Sequence, residues 1–351
     1  MSKRILRIVV VVILVAFIFP FLFSMIVYER NFNQRYEVYE PLSRKIAEFP
    51  TLSREEHSFF SNKGQQLQGY LYSDSETSRS EALGLVIIAH GLGSGGQNAY
   101  MGLADYFASH DYLVFAYDAT GNGESEGKTA KGMPQGLIDL DYAIRYIKEN
   151  MELADLPLVL FGHSWGAYSS AGVLNLHPDI KAVVMAAGFN RTKDLFEEAG
   201  KDMFGISIKL FLPFVSLYER LKFGKYAGYN AFDGLDNSLA SALIIHSSDD
   251  AQISSENSYD IFHKHYGSNP RFDFIQFRDR GHDMLWYSDD ARSYRDKFNE
   301  DFAEYVEQLE VEFTPEIRAE YINQILDKGR LYEIDSELML EIVGFYNSAI
   351  H

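Results

Sequence analysis

The sequence predicts an α/β domain with a mostly parallel central sheet and helices on both faces of that sheet. Continuous apolar runs of strand length recur along the chain, as expected for strands that are buried on both faces. Segments with apolar residues three and four positions apart lie between these runs, and this spacing is typical of amphipathic helices. Such alternation of strand and helix is typical of a parallel sheet. The apolar runs lie at 83–90, 112–118, 156–162, 180–188, 241–248 and 272–278, and the helical segments at 98–111, 133–150 and 258–267.

The N-terminal segment is a separate element. From Ile8 to Val27 it has twenty residues without a charge. A helix of that length spans about 30 Å, the thickness of the hydrocarbon core of a bilayer. Three basic residues precede this run, and positive charge at that place predicts a cytoplasmic N-terminus. We therefore expect residues 1–28 to be a single-pass membrane anchor, with the rest of the chain outside the cytoplasm.

A cleaved signal peptide is the alternative for this segment. Its apolar region normally has about 7–15 residues, followed by small residues at the cleavage site. Here the run is longer and ends in the bulky residues Phe23, Met25 and Ile26, which favours an uncleaved anchor. A buried core helix is disfavoured, because the run is apolar on every face.

A stalk and a hairpin follow the anchor. Residues 29–54 are polar and aromatic, and we expect them to form a short helical stalk. Two alternating runs then flank Asn62-Lys63-Gly64, a sequence typical of a tight turn. They predict a β-hairpin at the start of the main domain, to which we assign residues 55–310.

Two stretches interrupt the alternation of strand and helix. Residues 189–240 lie between two predicted strands and are far longer than one connection needs. Their amphipathic pieces predict a helical cap over the carboxyl edge of the sheet. Residues 311–351 form a C-terminal helical tail with two segments, and Asp335 or Ser336 is the expected N-cap of the second. We expect the apolar side chains of this tail to pack on the body of the protein.

One short motif, Gly162-His163-Ser164-Trp165-Gly166, carries the strongest chemical signal. It follows an apolar run and precedes small residues, so it predicts a direct turn from strand to helix. Glycines two positions before and after the serine remove side chains that would clash in such a turn. The serine hydroxyl then projects above the carboxyl edge of the sheet, near the N–H groups of the following helix. Ser164 is therefore the candidate nucleophile.

A serine nucleophile needs a base to take its proton and an acid to orient that base. After a turn of this kind the partners follow in the order serine, acid, histidine. His282 lies in a loop directly after the last apolar run and is the candidate base. Asp249 and Asp250 both follow the run at 241–248, and both are candidates for the acid.

Two backbone amides are candidates for the oxyanion hole. Charge that develops on a substrate carbonyl oxygen is stabilised by N–H donors aimed at it. The amide of Trp165 directly follows the nucleophile and is one candidate donor. The loop His90–Gly96 is rich in glycine, which lets backbone approach a substrate closely. We expect the second donor there, at Leu92, whose side chain would line the acyl pocket.

Taken together, these features resemble the α/β-hydrolases, in particular the group of monoacylglycerol lipases and serine aminopeptidases (S33-type). The resemblance covers about residues 55–310 and implies the α/β-hydrolase fold. It also implies a structural role for the loop Asp118–Ser125. The motifs that carry it are HGLGSGG at 90–96, YDATGNGESEG at 117–127, GHSWGAY at 162–168, HSSDDAQIS at 246–254 and GHDM at 281–284.

The resemblance also bears on the choice of the acid. In this family a valine stands three positions after the acidic residue, and Ile253 occupies that place relative to Asp250. Asp250 is therefore favoured over Asp249. Ser254 stands where the family usually has proline, which weakens the preference.

The composition excludes several other functions. The formal net charge of -18 disfavours nucleic acid as a partner, because binding phosphates requires clustered Lys and Arg. The chain has no cysteine, which excludes disulfides, thiolate catalysis and cysteine-ligated metal. The sequence contains no metal-ligand motif and no phosphate-binding loop, so we expect neither a metal nor a cofactor.

The sequence thus predicts a membrane-anchored serine hydrolase that cleaves carboxylic esters through an acyl-enzyme on Ser164. A small ester or a lipid-like molecule is the expected substrate. An aminopeptidase with the same chemistry is the alternative, and a membrane-tethered binding protein without catalysis is the third hypothesis. Apolar side chains of the cap are expected to line the pocket, namely Phe204, Ile206, Leu210, Phe211, Leu212, Phe214 and Leu217.

Overall fold

The computed structural model describes residues 3–75, 79–150, 153 and 155–351. Its strands lie within two residues of the predicted apolar runs, and the predicted hairpin is present at the start of the domain. The strands are β1 (Leu52–Phe60), β2 (Gln66–Asp74), β3 (Gly84–Ala89), β4 (Tyr112–Tyr117), β5 (Leu158–His163), β6 (Ala182–Ala186), β7 (Ser241–Ser247) and β8 (Phe272–Phe277).

These eight strands form one sheet in the order β1-β2-β4-β3-β5-β6-β7-β8. The hairpin strands pair antiparallel with each other, and β2 pairs antiparallel with β4. All the other pairs are parallel. The carboxyl ends of β3, β5, β6, β7 and β8 therefore lie along one edge, which is the edge that the sequence predicts for the site.

Helices connect the strands and cover both faces of the sheet, as predicted. One face packs against α3, α4, α7 and α8, and the other against α2 and α12. This is why the parallel strands read as continuous apolar runs. The helices are α1 (Lys3–Phe32), α2 (Met101–Ala108), α3 (Met133–Asn150), α4 (Trp165–Val173), α5 (Thr192–Phe204), α6 (Leu212–Phe223), α7 (Ala231–Asn237), α8 (Tyr259–Tyr266), α9 (Asp289–Glu307), α10 (Pro315–Ile325), α11 (Lys328–Leu331) and α12 (Ser336–Ile350).

The last helix of the chain belongs to the core. Asp335 caps α12 by accepting hydrogen bonds from the backbone N–H groups of Glu337 and Leu338. Its apolar face is buried on the sheet, and the Tyr346 hydroxyl donates to the carbonyl oxygen of Leu160 in β5 at 2.8 Å. The C-terminal helix therefore covers β5, β6 and β7 and takes part in the main hydrophobic core.

Residues 189–240 form a helical insertion between β6 and β7, as predicted. The insertion contains α5, α6 and α7 with two short 3-10 segments, Gly205–Leu210 and Gly224–Gly228. The Glu198 carboxylate of α5 accepts hydrogen bonds from the Ser254 N–H and the Asn257 amide, both at 2.8 Å. The start of the insertion is thereby tied to the loop after β7, at the carboxyl edge of the sheet.

The N-terminal helix α1 joins the insertion instead of standing apart from the domain. Among the described residues, Leu14–Phe32 is long and apolar enough to cross a membrane, and most of it is exposed. Near its end Tyr28 is fully buried. The Tyr28 hydroxyl donates to the Glu219 carboxylate of α6 at 2.7 Å and accepts from the Met133 N–H at 3.0 Å. Helix α1 is therefore docked through its last turns.

The expectation of a helical stalk after the anchor is wrong beyond Phe32. The chain there is mostly irregular, with two 3-10 turns. The Tyr36 N–H donates to the carbonyl of Gly121, and the Tyr36 carbonyl accepts from Gly123. Arg35 donates to the carbonyls of Gly123 and Gly127 at 2.8 Å. Because these backbone groups pair with the loop after β4, they are not available for helical hydrogen bonds.

The turn from β5 into α4 leaves almost no room for side chains. A Cβ atom on Gly166 would lie 1.9 Å from the carbonyl oxygen of Ala89 in β3, and one on Gly162 would lie 2.4 Å from that of Gly166. Ser164 between them has a φ of 53°. A residue other than glycine in that region costs about 1–3 kcal/mol and persists only where the surroundings enforce it. Helix α4 thus crosses so close to β3 and β5 that the serine is held in a strained conformation.

We predict that Gly166→Ala destabilises the protein and abolishes any activity of Ser164. The added methyl group has to displace the backbone of β3, and overpacking of this kind costs about 1–3 kcal/mol or more. The matched control is Gly344→Ala in the middle of α12, where a new Cβ meets no atom within 4 Å. That change should raise stability by up to about 1 kcal/mol through helix propensity. Thermal unfolding in detergent measures both, and equal melting temperatures for the two variants would contradict the prediction.

Candidate active site

The structure places Ser164 at the carboxyl edge of the sheet, between β5 and α4. Its backbone N–H donates to the carbonyl of Ala186 in β6 at 2.8 Å, which holds the turn against the neighbouring strand. The residue lines a cavity of about 450 Å³, and His282 lines the same cavity. Two of the three predicted catalytic side chains therefore face one space.

The third predicted side chain, Asp250, is bonded to the histidine. His282 Nδ1 donates to Asp250 Oδ2 at 2.7 Å. The other carboxylate oxygen accepts from the N–H groups of Gln252 and Ile253 at 2.8 and 2.9 Å. Burial by itself would raise the pKa of Asp250, but its hydrogen bond to His282 and the charge there lower it. The carboxylate is thus held in its charged form, as the orienting acid of a triad requires.

The neighbouring Asp249 makes different contacts. Its carboxylate accepts from the Gly281 N–H at 2.9 Å and from the Ser247 hydroxyl. These bonds tie the end of β7 to the loop that carries His282. Of the two aspartates that the sequence offers, the structure bonds Asp250 to the histidine and gives Asp249 a role in shaping the loop.

The contact between the serine and the histidine is open. Within the described part of the chain, no hydrogen bond joins Ser164 Oγ to the ring of His282. Such bonds are often long before a substrate is bound and become shorter in the complex. The observed arrangement has the order of a triad, in which Asp250 is hydrogen-bonded to His282 and the Ser164 hydroxyl makes no hydrogen bond to the ring.

The two predicted oxyanion donors have unpaired backbone amides. Among the described residues, the N–H groups of Leu92 and Trp165 have no hydrogen-bond acceptor. Leu92 also lines the cavity. The Trp165 indole is buried and donates to the carbonyl of Met133 at 2.7 Å. This hydrogen bond fixes the side chain of Trp165 in place. Within the described chain, both amides are thus without an acceptor, and the residue of one of them, Leu92, faces the cavity.

A hydrogen-bonded chain that the sequence analysis did not include connects the loops of the site. The Gly91 N–H donates to the hydroxyl of Tyr100 at 2.8 Å, and this hydroxyl lies 2.8 Å from His163 Nδ1. His163 Nε2 lies 3.0 Å from the carbonyl of His282 and must donate to it, which assigns the tautomer. Burial, reinforced by the neighbouring His282, lowers the pKa of His163 to about 4. His163 is therefore a neutral support, and Tyr100 is recognisable only once the fold is known.

One group of residues has the geometry of a metal site. Ligand atoms of His163, His282 and Asp283 lie within 4.8 Å of one another. Both ring nitrogens of His163 are already engaged, by Tyr100 and by the carbonyl of His282. His282 Nδ1 is engaged by Asp250. A metal ion would have to break this network, so the donor set fits a hydrogen-bonded support better than a cation.

The walls of the cavity differ from the sequence prediction. Among the described residues that line it, none belongs to the insertion 189–240. Leu42 comes from the segment after α1, Arg295 from α9, and Leu331 and Tyr332 from the C-terminal region. The expected apolar lining by the cap is wrong for this cavity, because apolar cap side chains such as Phe211 and Phe214 pack against α1 instead.

The loop Asp118–Ser125 has the structural role that the resemblance implies. The Asp118 carboxylate is buried and accepts from the N–H groups of Gln97 and Glu124 at 2.7 and 2.9 Å. Burial raises the pKa of Asp118 to about 6. The carboxylate holds the two glycine-rich loops together beside the site. A Cβ atom on Gly96 would lie 2.1 Å from Asp118 Oδ1, so only glycine fits at this position.

Comparison with known proteins finds similarity over part of the chain. Residues 80–223 match the family model described as "Serine aminopeptidase, S33". YfhR, an uncharacterized protein of Escherichia coli O157:H7 and K12, is 29% identical over 140 residues, which are 39% of this chain and 48% of YfhR. The chain thus spans about half the length of the curated relatives that it matches.

Solved structures with the same fold include a protein named as an esterase and one solved with ferulic acid. The Pyrococcus furiosus esterase Pf2001 superposes with a TM-score of 0.55 at 15% identity, covering 79% of this chain and 98% of the esterase. Est1E of Butyrivibrio proteoclasticus, solved with ferulic acid, gives 0.51 at 16% identity, covering 70% and 97%. The sheet order and these solved structures show the α/β-hydrolase fold, and residues 80–223 are similar to the S33 serine aminopeptidase family over that part of the chain.

Proposed function

We propose that the protein is a serine hydrolase that cleaves carboxylic esters through an acyl-enzyme on Ser164. The observation that carries the proposal is the shared cavity. Ser164 in its strained turn and the Asp250-bonded His282 face the same space, beside two amides without an acceptor. A merely structural serine would have no need of these partners.

The chemistry follows from these positions. Ser164 Oγ attacks the carbonyl carbon of the ester while His282 Nε2 takes the hydroxyl proton. The amides of Leu92 and Trp165 stabilise the oxyanion. When the tetrahedral intermediate collapses, the C–O bond to the alcohol breaks and His282 gives its proton to the leaving oxygen. Water, deprotonated by the same histidine, then releases the acid and restores Ser164.

Esters are favoured by the similar solved structure of Pf2001, which is named an esterase. The cavity has apolar walls, including Met284, Trp286 and Leu331, with an Arg295 guanidinium and an Asp283 carboxylate among them. This lining suits a moderately apolar ester with a polar group. We further propose that α1 anchors the enzyme in a membrane, with the N-terminus in the cytoplasm and the hydrolase domain outside.

The first prediction concerns the nucleophile. Ser164→Ala should reduce turnover of p-nitrophenyl butyrate by at least about 10³-fold, because no other group can form the acyl-enzyme. Labelling with a fluorophosphonate probe, followed by mass spectrometry, should place the adduct on Ser164 in the unmodified protein. Labelling elsewhere, or none at all, would favour a membrane-tethered binding protein.

The second prediction separates the two aspartates. Asp250→Asn should lower kcat by about 10³-fold or more, since an amide in that place favours the wrong tautomer of the base. Asp249→Asn is the matched control, because its oxygen can still accept from Gly281 and we expect a loss below about tenfold. Steady-state kinetics on the same ester decides it, and a larger loss in the Asp249 variant would reverse the assignment.

The aminopeptidase alternative has one observation in its favour besides the name of the matching family. Asp283 presents a carboxylate to the cavity, and such a group can bind the amino terminus of a peptide. Two acidic residues of α5 are engaged elsewhere, Glu197 with Lys209 and Glu198 with the loop after β7. Amino-acid p-nitroanilides assayed beside p-nitrophenyl esters separate the two activities, and we expect esters to be preferred.

The third prediction concerns the wall made by the C-terminal region. Leu331→Ala enlarges the cavity, so kcat/KM should shift toward esters with larger acyl or alcohol groups. Leu217→Ala, in the cap outside the cavity lining, is the control and should leave this profile unchanged. A panel of p-nitrophenyl and alkyl esters of rising size measures both profiles. If the kcat/KM profile shifts only in the Leu217 variant, the cap and not the C-terminal region selects the substrate.

A further inference from the structure

The cap lies beside the part of α1 that would have to cross a membrane. The uncharged run Ile8–Val27 is about 30 Å long as a helix, enough for one crossing of the hydrocarbon core. Yet α6 runs along α1 over much of this length. Phe214 packs on Phe17 with ring centroids 5.5 Å apart, and Lys222 forms an ion pair with Glu29.

The cap lies beside about half of the apolar length of α1 that would cross the bilayer. Among the described side chains, Phe17 makes the first ring contact with the cap, and the uncharged run ends at Val27, so about 15 Å of the apolar helix lies beside the cap. Phe21 and Phe23 continue the contact, with Tyr218 at 6.2 Å and Phe211 at 4.9 Å between ring centroids. Only about 13 Å of the run precedes Phe17, which is too short for a bilayer. A crossing helix therefore takes the cap into the lipid with it.

The surface of the cap fits that environment. Ile206, Leu210 and Leu221 are 81%, 71% and 69% exposed. The exposed faces of α1, with Val15 and Phe19 above 59%, extend this apolar surface. Soluble proteins rarely expose large apolar patches, and such a patch marks contact with a membrane or a partner.

Charge around the cap points to lipid as that partner. The chain as a whole has a net charge of -18, but residues 204–228 have four basic residues and one acidic residue. The acidic one, Glu219, is buried against Tyr28. Arg220, Lys222 and Lys225 follow the apolar part of the cap just as Glu29 and Arg30 follow that of α1. The two elements therefore change from apolar to charged together, as expected at a headgroup layer with anionic lipids.

We propose that the apolar part of the cap, residues 204–217, is sunk into the leaflet on the domain side of the bilayer, where Ile206 and Leu210 contact lipid chains. The inference rests on the proposed anchorage by α1 and adds a second membrane-binding element to it. Lys209 is compatible with this depth, because its side chain is 60% exposed and long enough to reach the headgroups. The cap thus serves to hold the enzyme in the membrane, apart from the cavity of Ser164.

The absence of cysteine from the chain allows a direct test. Full-length variants with Ile206→Cys, Leu210→Cys or Phe19→Cys are labelled with a nitroxide and reconstituted in vesicles of phosphatidylcholine and phosphatidylglycerol. The matched control is Leu239→Cys, which is 86% exposed and precedes β7 at the opposite edge of the sheet. Collision rates with oxygen and with a water-soluble nickel complex give the depth of each label. Labels at 206, 210 and 19 should collide mainly with oxygen, and the label at 239 mainly with nickel.

The outcomes separate the two proposals. Nickel-accessible labels at 206 and 210, with an oxygen-accessible label at 19, would overturn the embedded cap and leave the anchor in place. A nickel-accessible label at 19 would overturn both. Dipolar broadening between labels at 206 would show that a second copy covers this surface, which would also overturn contact with lipid. Unchanged hydrolysis by each labelled variant checks that the fold is intact.

Discussion

The position of Ser164, the proposed nucleophile, depends on how closely α4 crosses the sheet. Gly166 lies so near the backbone of β3 that no side chain fits, and Ser164 takes a positive φ as a result. The same close crossing brings the Trp165 amide and the glycine-rich loop after β3 to one point. Strain at the serine is thus maintained by packing of strands and helix, and the loops only complete a geometry that the sheet imposes.

Local patterns in the sequence were sufficient to predict the strands and the turn that carries Ser164. Strand runs, the serine motif and the order of acid and base all depend on residues near one another in the chain, so they could be read directly. The choice between Asp249 and Asp250 depended on a resemblance, because only the fold shows which carboxylate reaches His282. Tyr100 gave no signal, since a tyrosine in an amphipathic helix start is usually a core residue, and its bond to His163 is a long-range contact.

Contacts between distant segments account for the errors. The cap is apolar, and an apolar cap above a catalytic edge suggests a substrate pocket; its partner turned out to be α1. The cavity wall is instead made where two ends of the chain meet. Tyr332 donates to the carbonyl of Leu42 at 3.0 Å, and Lys328 donates to that of Ser43 at 2.7 Å. Such pairings across nearly the whole chain have no periodicity, so no pattern in the sequence predicts them.

This arrangement joins α1, the proposed anchor, to the edge of the sheet that carries Ser164. Tyr28 at the end of α1 accepts from the N–H of Met133, whose carbonyl accepts the indole N–H of Trp165. The segment after α1 continues along the loop of Gly95 and reaches the cavity at Leu42. Helix α1 is therefore connected to a proposed oxyanion donor through two hydrogen bonds and to a cavity wall through the backbone. Because the hydrogen-bonded connection is short and its side chains Tyr28 and Trp165 are buried, α1 is a structural neighbour of the site and not only the proposed tether.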